Sequence, residues 1–302
     1  MSGRPIPRWI GIALLLVIAT VFGSNHVAAR LAFEHGANVT TAVAFRSTGT
    51  ALFVLALLAW SGISLRVERG TLARAIVIGL FLALQSYCLY SAVARIPVAL
   101  ALLAFQTFPM LLSLISWAAG GERPSRRVRL AMPVALIGLA LALGVLGGSG
   151  PQFAGIADRW AEVGAGVLWA TGASVSFAMV LYLTTRWLGG MDGRLRSFFI
   201  MSVVAAVTIA GGAAANDFAL PADATGWLGL ALLTVFYGTA ITAMFVLLPR
   251  LGAVNNAAVM NFEPIAVLGI AWAVLGQAVA PLQIAGAFIV VGAIAWLGSG
   301  RQ

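Results

Sequence analysis

The sequence predicts an all-α integral membrane protein with ten transmembrane helices, arranged as two inverted five-helix repeats. Three observations predict this class: the composition, ten long apolar stretches, and one segment that occurs twice. Apolar residues make up 61% of the 302 residues and charged residues only 9%, and the mean hydropathy is +1.01. Soluble domains carry about a quarter charged residues. Since this chain cannot cover a globule with polar groups, we expect it to lie in a lipid bilayer.

Each of the ten apolar stretches is long enough to cross about 30 Å of hydrocarbon as an α-helix. Turn signals rich in Gly, Pro and polar residues separate them. The first stretch follows two arginines, as in a signal peptide, but its apolar run is longer than is typical of one, so we expect an uncleaved helix. The expected spans are 9–29, 38–60, 72–93, 97–119, 129–147, 162–186, 194–214, 226–248, 253–275 and 281–298.

The distribution of arginine predicts the orientation of these spans. The net charge is +9, and every basic residue is Arg. With a cytoplasmic N-terminus, fourteen arginines fall in cytoplasmic segments and three, Arg30, Arg95 and Arg159, in outer loops. By the positive-inside rule both termini are cytoplasmic, in a multi-pass protein of a bacterial-type inner membrane. No basic stripe with interleaved aromatic residues lies outside the spans, so we expect no nucleic-acid partner.

A segment of 28 residues occurs twice without a gap, 155 positions apart: Arg95–Glu122 and Arg250–Gln277. It divides the chain into repeats of residues 1–150 and 151–302. Because five is an odd number of helices, the second repeat must enter the membrane from the opposite side. Inverted repeats are characteristic of alternating-access transporters; the alternative is that the duplication only built a stable bundle. The identical pairs include Arg95 and Arg250, Pro109 and Pro264, Ile115 and Ile270, Trp117 and Trp272, Ala118 and Ala273, and Gly121 and Gly276.

Several short motifs resemble the drug/metabolite transporter superfamily in its ten-helix EamA branch. They are Phe22-Gly23-Ser24-Asn25, where the family usually begins with Trp, Phe45-Arg46, the run from Tyr90 to Ala101, and the mid-span prolines of the fourth and ninth helices. Gln277 stands where the family usually has an acidic residue. Within the branch the chain resembles YddG-type exporters of aromatic amino acids, and this resemblance implies export of an amino acid or a related compound.

Two ionisable residues lie well inside the expected spans. Arg46 is eight residues past the outer start of its helix and Glu263 is ten past the inner start of its own, so both lie roughly 12–15 Å deep at 1.5 Å per residue. A charge there is costly and needs a partner. Three interpretations stay open: a structural Arg46–Glu263 ion pair, substrate binding by both, or a proton site at Glu263.

Neutral side chains extend the predicted substrate site. Gln85 and Asn261 lie near the middle of their spans and are the best amide candidates, while His26 lies nearer the outer end and suits a structural or gate role. Most such polar groups in membrane helices serve as interhelical hydrogen bonds. Five aromatic residues are further predicted to form a wall that packs against a planar or hydrophobic substrate. They are Tyr87, Trp169, Tyr237, Tyr90 and Tyr182.

Pro109 and Pro264 are the predicted hinge residues. A proline removes one backbone donor and leaves a carbonyl free one turn earlier, near Phe105 and Met260. In a cavity such a carbonyl can accept an ammonium group or allow the helix to bend. The alternative for each proline is a static kink.

The sequence therefore predicts a secondary or facilitated exporter of amino acids, with aromatic or bulky neutral ones favoured. The alternatives are another small metabolite, a drug cation, or a structural membrane protein. The chain has no phosphate-binding loop, no nucleophile elbow and no HExxH motif, so we expect no enzyme activity, no cofactor and no metal. The expected partners are a small-molecule substrate and the bilayer; the oligomeric state stays open and includes a monomer.

Overall fold

The computed structural model describes residues 7–93, 95–96, 98–121, 123–145, 160–251, 257–275 and 280–298. These segments are helical and contain no strand, as predicted. The α-helices are α1 Arg8–Glu34, α2 Val39–Trp60, α3 Arg69–Val93, α4 Val98–Phe105, α5 Phe108–Ala118, α6 Arg126–Ala142, α7 Trp160–Leu188, α8 Gly193–Ala215, α9 Ala224–Leu251, α10 Glu263–Leu275 and α11 Pro281–Gly298, with a 3₁₀-helix at Ala257–Phe262 before α10.

Local signals in the sequence fix several helix ends. The side chains of Asn38, Ser125 and Asp192 each accept a hydrogen bond from a backbone N–H of the first turn that follows, which satisfies a donor that the helix leaves free. A hydrogen bond from the Arg194 guanidinium lowers the pKa of the Asp192 carboxyl group. Within the described segments, seven helical stretches are long and apolar enough to cross a membrane.

The fourth and ninth expected spans differ from the prediction because each is broken. Span 97–119 divides into α4 and α5 at Gln106 and Thr107, and span 253–275 passes from the 3₁₀-helix into α10. Pro109 and Pro264 lie in the first turn of α5 and of α10, where a missing N–H costs nothing. The prolines therefore begin new helices, whereas the sequence placed them inside continuous ones.

The 155-residue offset extends from the repeated segment to almost the whole chain. The first residues of α3 and α9, Arg69 and Ala224, are 155 positions apart, and so are those of α5 and α10 and those of α6 and α11. The predicted boundary between residues 150 and 151 lies outside the described residues.

Helix packing follows the same offset. α3 packs along α7, as its equivalent α9 packs along α1. The equivalent helices α2 and α8 lie antiparallel, as two contacts between their ends show. Ser61 after the end of α2 accepts a hydrogen bond from Arg194 at the start of α8, at 2.9 Å. At the other end Asn38 donates to Asp217, also at 2.9 Å. Antiparallel equivalents are the geometry that an inverted repeat requires; the orientation relative to the cytoplasm stays a prediction.

Candidate functional site

A cavity lies in the centre of the bundle, where α1, α2, α3, α7 and α9 meet the two broken helices. A volume of about 60 Å³ is open to the centre of a water-sized sphere. One water needs roughly 10–15 Å³ on this measure, so the cavity has room for a few waters and must expand to take a larger solute.

Equivalent positions of the two repeats line this cavity. Residues separated by 155 positions face it in pairs, so it lies on the pseudo-two-fold axis that relates the repeats, the place where substrate sites of inverted-repeat transporters are built. The pairs are Phe22 and Phe177, Leu82 and Tyr237, Ser86 and Ile241, Leu89 and Met244, Phe105 and Met260, and Phe108 and Glu263.

Glu263 forms a hydrogen-bonded pair with His26. The carboxylate Oε1 lies 2.7 Å from the imidazole Nε2, and the side chains are 11% and 31% exposed. Glu263 is also the first residue of α10, and the positive end of a helix dipole stabilises a carboxylate there. Sequence reasoning gave His26 a structural or gate role and did not anticipate this pair.

Arg46 faces the same cavity from α2 and is 5% exposed. Its guanidinium donates to the hydroxyls of Tyr90 and Ser86, both at 3.1 Å, and lies 4.1 Å from the ring centroid of Tyr237. Such ring contacts stabilise a cation that has lost its water. Its Nε is buried without a hydrogen-bond partner among the described residues, so Arg46 retains a free donor.

An Arg46–Glu263 ion pair, one of the three interpretations left open by the sequence, is not formed in the part of the chain that the structure describes. Both residues line the cavity, but the Glu263 carboxylate bonds His26 and the Arg46 guanidinium bonds two hydroxyls. Each charge thus has a separate set of partners.

The other predicted site residues divide into two groups. Gln85 and Tyr237 are buried and line the cavity. Asn261 is buried beside the lining residue Met260 but is not itself in the lining. It has a buried counterpart, Gln106, 155 positions earlier at the other helix break; the Asn261 Oδ1 and both Gln106 amide atoms lack a partner among the described residues.

Tyr87 and Trp169 of the predicted aromatic wall are not among the residues that line the central cavity. Tyr87 is 65% exposed, and its ring packs edge-to-face on Trp169 at 5.6 Å, away from the cavity. Because α3 is apolar on all sides, its sequence carries no amphipathic stripe that would show which face turns inward.

Three phenylalanines form the aromatic wall instead. Phe105, Phe108 and Phe177 are buried against each other, with ring centroids 4.9–5.5 Å apart. Sequence reasoning missed all three. The available signal was the repeat itself: Phe105 and Phe108 flank the break of the fourth span, and Met260 and Glu263 are their counterparts 155 positions later.

Comparison with known families decides the broad class of this site. The sequence profile of the EamA-like transporter family matches residues 9–144 and again residues 164–299. The chain belongs to the EamA-like transporter family. It is therefore a multi-pass membrane transporter of small molecules in the drug/metabolite transporter superfamily, and its family consists of transporters rather than enzymes.

The fold of this EamA-like transporter also occurs in solved structures. One crystal structure, titled only "Crystal structure of protein", is 18% identical and matches with a TM-score of 0.71. The match covers 97% of this chain and 96% of the other, so it supports the fold over almost the whole length. No curated protein matches the sequence.

Proposed function

We propose that this EamA-like transporter exports amino acids with aromatic or bulky neutral side chains by alternating access. The observation that carries the proposal is that two unlike sets of side chains line the central cavity. Glu263, His26 and Arg46 are the ionisable set, and Phe105, Phe108 and Phe177 are the aromatic set. A zwitterion with an apolar side chain needs both sets.

Each group of such a substrate has a complementary partner. The ammonium group matches the Glu263 carboxylate, and the carboxylate matches the Arg46 guanidinium through charge-assisted hydrogen bonds. The substrate side chain then packs on the three phenylalanine rings, where offset and edge-to-face contacts between rings are favourable. Gln85 adds to the cavity lining an amide that can both donate and accept hydrogen bonds.

The small volume of the cavity supports alternating access. Binding sites for small ligands commonly measure about 300–1,000 Å³, well above the space that the cavity offers here. The substrate therefore enters a conformer in which the repeats have moved apart. The broken helices beside Pro109 and Pro264 are the predicted hinges, because carbonyls near each break can change partners without breaking a continuous helix.

The His26–Glu263 pair supports coupling to protons as part of this proposal. A substrate ammonium that binds Glu263 competes with His26 for the same carboxylate. The other ionisable groups of the cavity are Arg46, Tyr90 and Tyr237. If the pair releases its proton when substrate binds, export is accompanied by proton movement in the opposite direction.

The test is uptake of a labelled amino-acid panel into proteoliposomes, with and without a pH gradient. We expect saturable flux of aromatic and bulky neutral amino acids and little flux of acidic ones, since Arg46 is the one arginine among the described residues of the lining. Glu263→Gln and Arg46→Leu are expected to lower this flux at least about tenfold, the usual effect of leaving one charge of a buried pair without its partner.

Two matched variants control for loss of charge alone. Arg66→Leu removes an exposed loop arginine and Asp192→Asn an exposed carboxylate, and both should retain the wild-type flux. Unchanged flux in Glu263→Gln and Arg46→Leu would contradict the proposed site. Flux of hydrophobic cations without any amino-acid flux would favour the alternative of a drug exporter, because Glu263 beside aromatic rings also suits a cation.

A further inference from the structure

A second and larger space lies outside the central cavity, at the predicted outer end of the bundle. This groove runs between the start of α2, the second half of α3 and the end of α8, and about 510 Å³ of it is open to the centre of a water-sized sphere. Its floor and sides are mostly apolar, and its mouth carries Thr40 and Asp217, which hydrogen-bond at 2.6 Å. Leu84 and Tyr87 at its edge are 47% and 65% exposed.

Two residues form the boundary between the groove and the central cavity. Ser86 and Tyr90 line both spaces, so a single layer of side chains separates them. Both hydroxyls accept a hydrogen bond from Arg46. Arg46 thus joins α2 to α3 at the inner end of the groove, and the atoms that would bind a substrate carboxylate also keep this boundary in place.

The equivalent place in the second repeat is closed. α8 packs against α9, and Arg196 of α8 donates to the backbone carbonyl of Phe245, the counterpart of Tyr90. Arg196 also donates to the carbonyl of Leu188 at 2.8 Å and so joins α7 to the same contact. A Cβ at Gly193 would lie 2.5 Å from the Val246 side chain, which shows how closely α8 and α9 approach.

The two repeats therefore differ at equivalent positions. α2 and α3 make almost no contact along their length, whereas α8 and α9 pack together. In an inverted repeat the first pair of helices faces one side of the membrane and the second pair the other. Thus α8 and α9 close the predicted inner end by packing together, whereas a groove separates α2 from α3 at the predicted outer end.

We propose that this groove is the passage by which the solute moves sideways, between α2 and α3, from the central cavity to the outer end. The substrate-free protein opens and closes this boundary, and a solute carboxylate that binds Arg46 favours the open form because it replaces Ser86 and Tyr90 as partners of the guanidinium. In the opposite conformer α2 closes on α3 and α8 separates from α9. The identity of the solute as an amino acid rests on the proposed function; the route itself does not.

Gly211 allows a direct test, because it lines the groove and a Cβ there would meet open space. Gly211→Trp fills the groove without a clash at the backbone. Gly292 of α11 is its matched control: it is also exposed, with open space around its Cβ, but it lines neither the groove nor the cavity.

The readout is labelling of a cysteine in the central cavity. The sole native cysteine is first removed by Cys88→Ala, and Ile241→Cys then places a thiol in the cavity lining. Intact cells are treated from outside with trimethylammonium-ethyl methanethiosulfonate, which is membrane-impermeant because its quaternary ammonium cannot lose its charge. We expect labelling in this parent, slower by at least about tenfold with Gly211→Trp, since the route to the cavity is filled, and unchanged with Gly292→Trp.

Equal labelling rates in the Gly211→Trp and parent proteins would overturn the proposal, and so would a parent that is not labelled from outside. Labelling needs no substrate, so the result is independent of the proposed function. Slower labelling in Gly211→Trp, together with no amino-acid flux in the wild-type protein, would support the passage but contradict the proposal that the solute is an amino acid.

Discussion

At the scale of single residues, the two repeats keep a common shape but differ in chemistry. Glu263 faces the cavity where the first repeat has Phe108, and Tyr237 faces it where the first repeat has Leu82. Arg46 corresponds to Met201, a fully buried core residue. Because a polar residue in one repeat is matched by an apolar one in the other, the two repeats share a backbone arrangement but contribute different side chains to the cavity.

The aromatic wall leads to a prediction at Phe177. Its ring lies 4.9 Å from that of Phe108, and Phe177→Ala removes a large apolar surface from the cavity. We expect the ratio of flux for aromatic over small neutral amino acids to fall by about 10- to 100-fold, the usual range for lost apolar contacts in a pocket.

A matched control separates this effect from loss of packing. Phe198 is half-buried and, like Phe177, lies in a ring pair, with Phe199 at 5.2 Å, but it lies on α8 away from the cavity lining. Phe198→Ala should lower the flux of all substrates alike or not at all. An unchanged flux ratio in Phe177→Ala would show that the wall does not contact the substrate.

At the scale of helices, two membrane spans are interrupted at equivalent places, whereas the helices around them are continuous. One break lies between α4 and α5, and the other lies where the 3₁₀-helix meets α10. Each break carries a buried amide, Gln106 or Asn261, with atoms that lack a partner among the described residues. A buried polar group without a partner costs free energy. A conformational change that gave these amides new partners would therefore be favoured, which supports a hinge at both places.

The hinge interpretation predicts that the first-turn prolines control the rate of transport more than substrate affinity. Pro109→Ala and Pro264→Ala restore a backbone donor and favour a continuous helix across the break. We expect the maximal flux to fall by about three- to tenfold while the equilibrium affinity stays within about twofold. Flux assays and binding assays in detergent give the two values.

Pro133 provides the control for these variants, because it lies inside α6 and does not line the central cavity. Pro133→Ala should leave both flux and affinity unchanged. If Pro109→Ala and Pro264→Ala weakened affinity as much as flux, the prolines would be static parts of the binding site.

Close packing of α6 on α11 leads to a prediction of stability. A Cβ at Gly286 would lie 2.3 Å from the backbone nitrogen of Ala142, and small residues of this kind let membrane helices approach closely. Gly286→Leu should destabilise the protein by about 1–3 kcal/mol, the usual cost of overpacking. Thermal unfolding in detergent measures the change.

Gly292 on the same helix has open space around its Cβ and is the control for Gly286. Gly292→Leu should unfold at the wild-type temperature. Equal unfolding temperatures for the two variants would contradict the close contact between α6 and α11.

At the scale of the whole molecule, the closed inner end depends on the buried guanidinium of Arg196, which contacts backbone of both α7 and α9. Arg196→Leu leaves two carbonyls without this donor, and a lost buried hydrogen bond to a charged group costs about 1.5–3 kcal/mol. We therefore expect the equilibrium to shift toward the conformer that opens at the predicted inner end.

Labelling of Ile241→Cys from the cytoplasmic side, in inside-out vesicles, measures this shift. Its rate should rise by about tenfold or more in Arg196→Leu, since 1.4 kcal/mol corresponds to a factor of ten. The neighbouring Arg194 is half-buried and pairs with Asp192 at 3.1 Å, and Arg194→Leu should not change the rate. A lower labelling rate in Arg196→Leu would contradict this prediction, because it would show that the Arg196 contact does not keep the predicted inner end closed.

The sequence by itself determined the class of the protein, the helices outside the fourth and ninth spans to within five residues at each end, and the 155-residue repeat. It also determined the EamA family resemblance, which the EamA-like profile match confirms. These properties depend on composition and on local patterns, which a chain carries in its order of residues. It also selected Arg46, Gln85, Tyr237 and Glu263, because a polar group in an apolar span is conspicuous wherever the helix lies.

Only the tertiary structure decided which of these groups meet. His26 and Glu263 are 237 positions apart, and no local pattern links them. The rotation of each helix was also open, because helices that are apolar on all sides have no stripe that points inward; Tyr87 was misplaced for this reason. The difference between the α2–α3 groove and the α8–α9 contact was likewise open, because related sequences in the two repeats carry no local signal of which helix pair packs together.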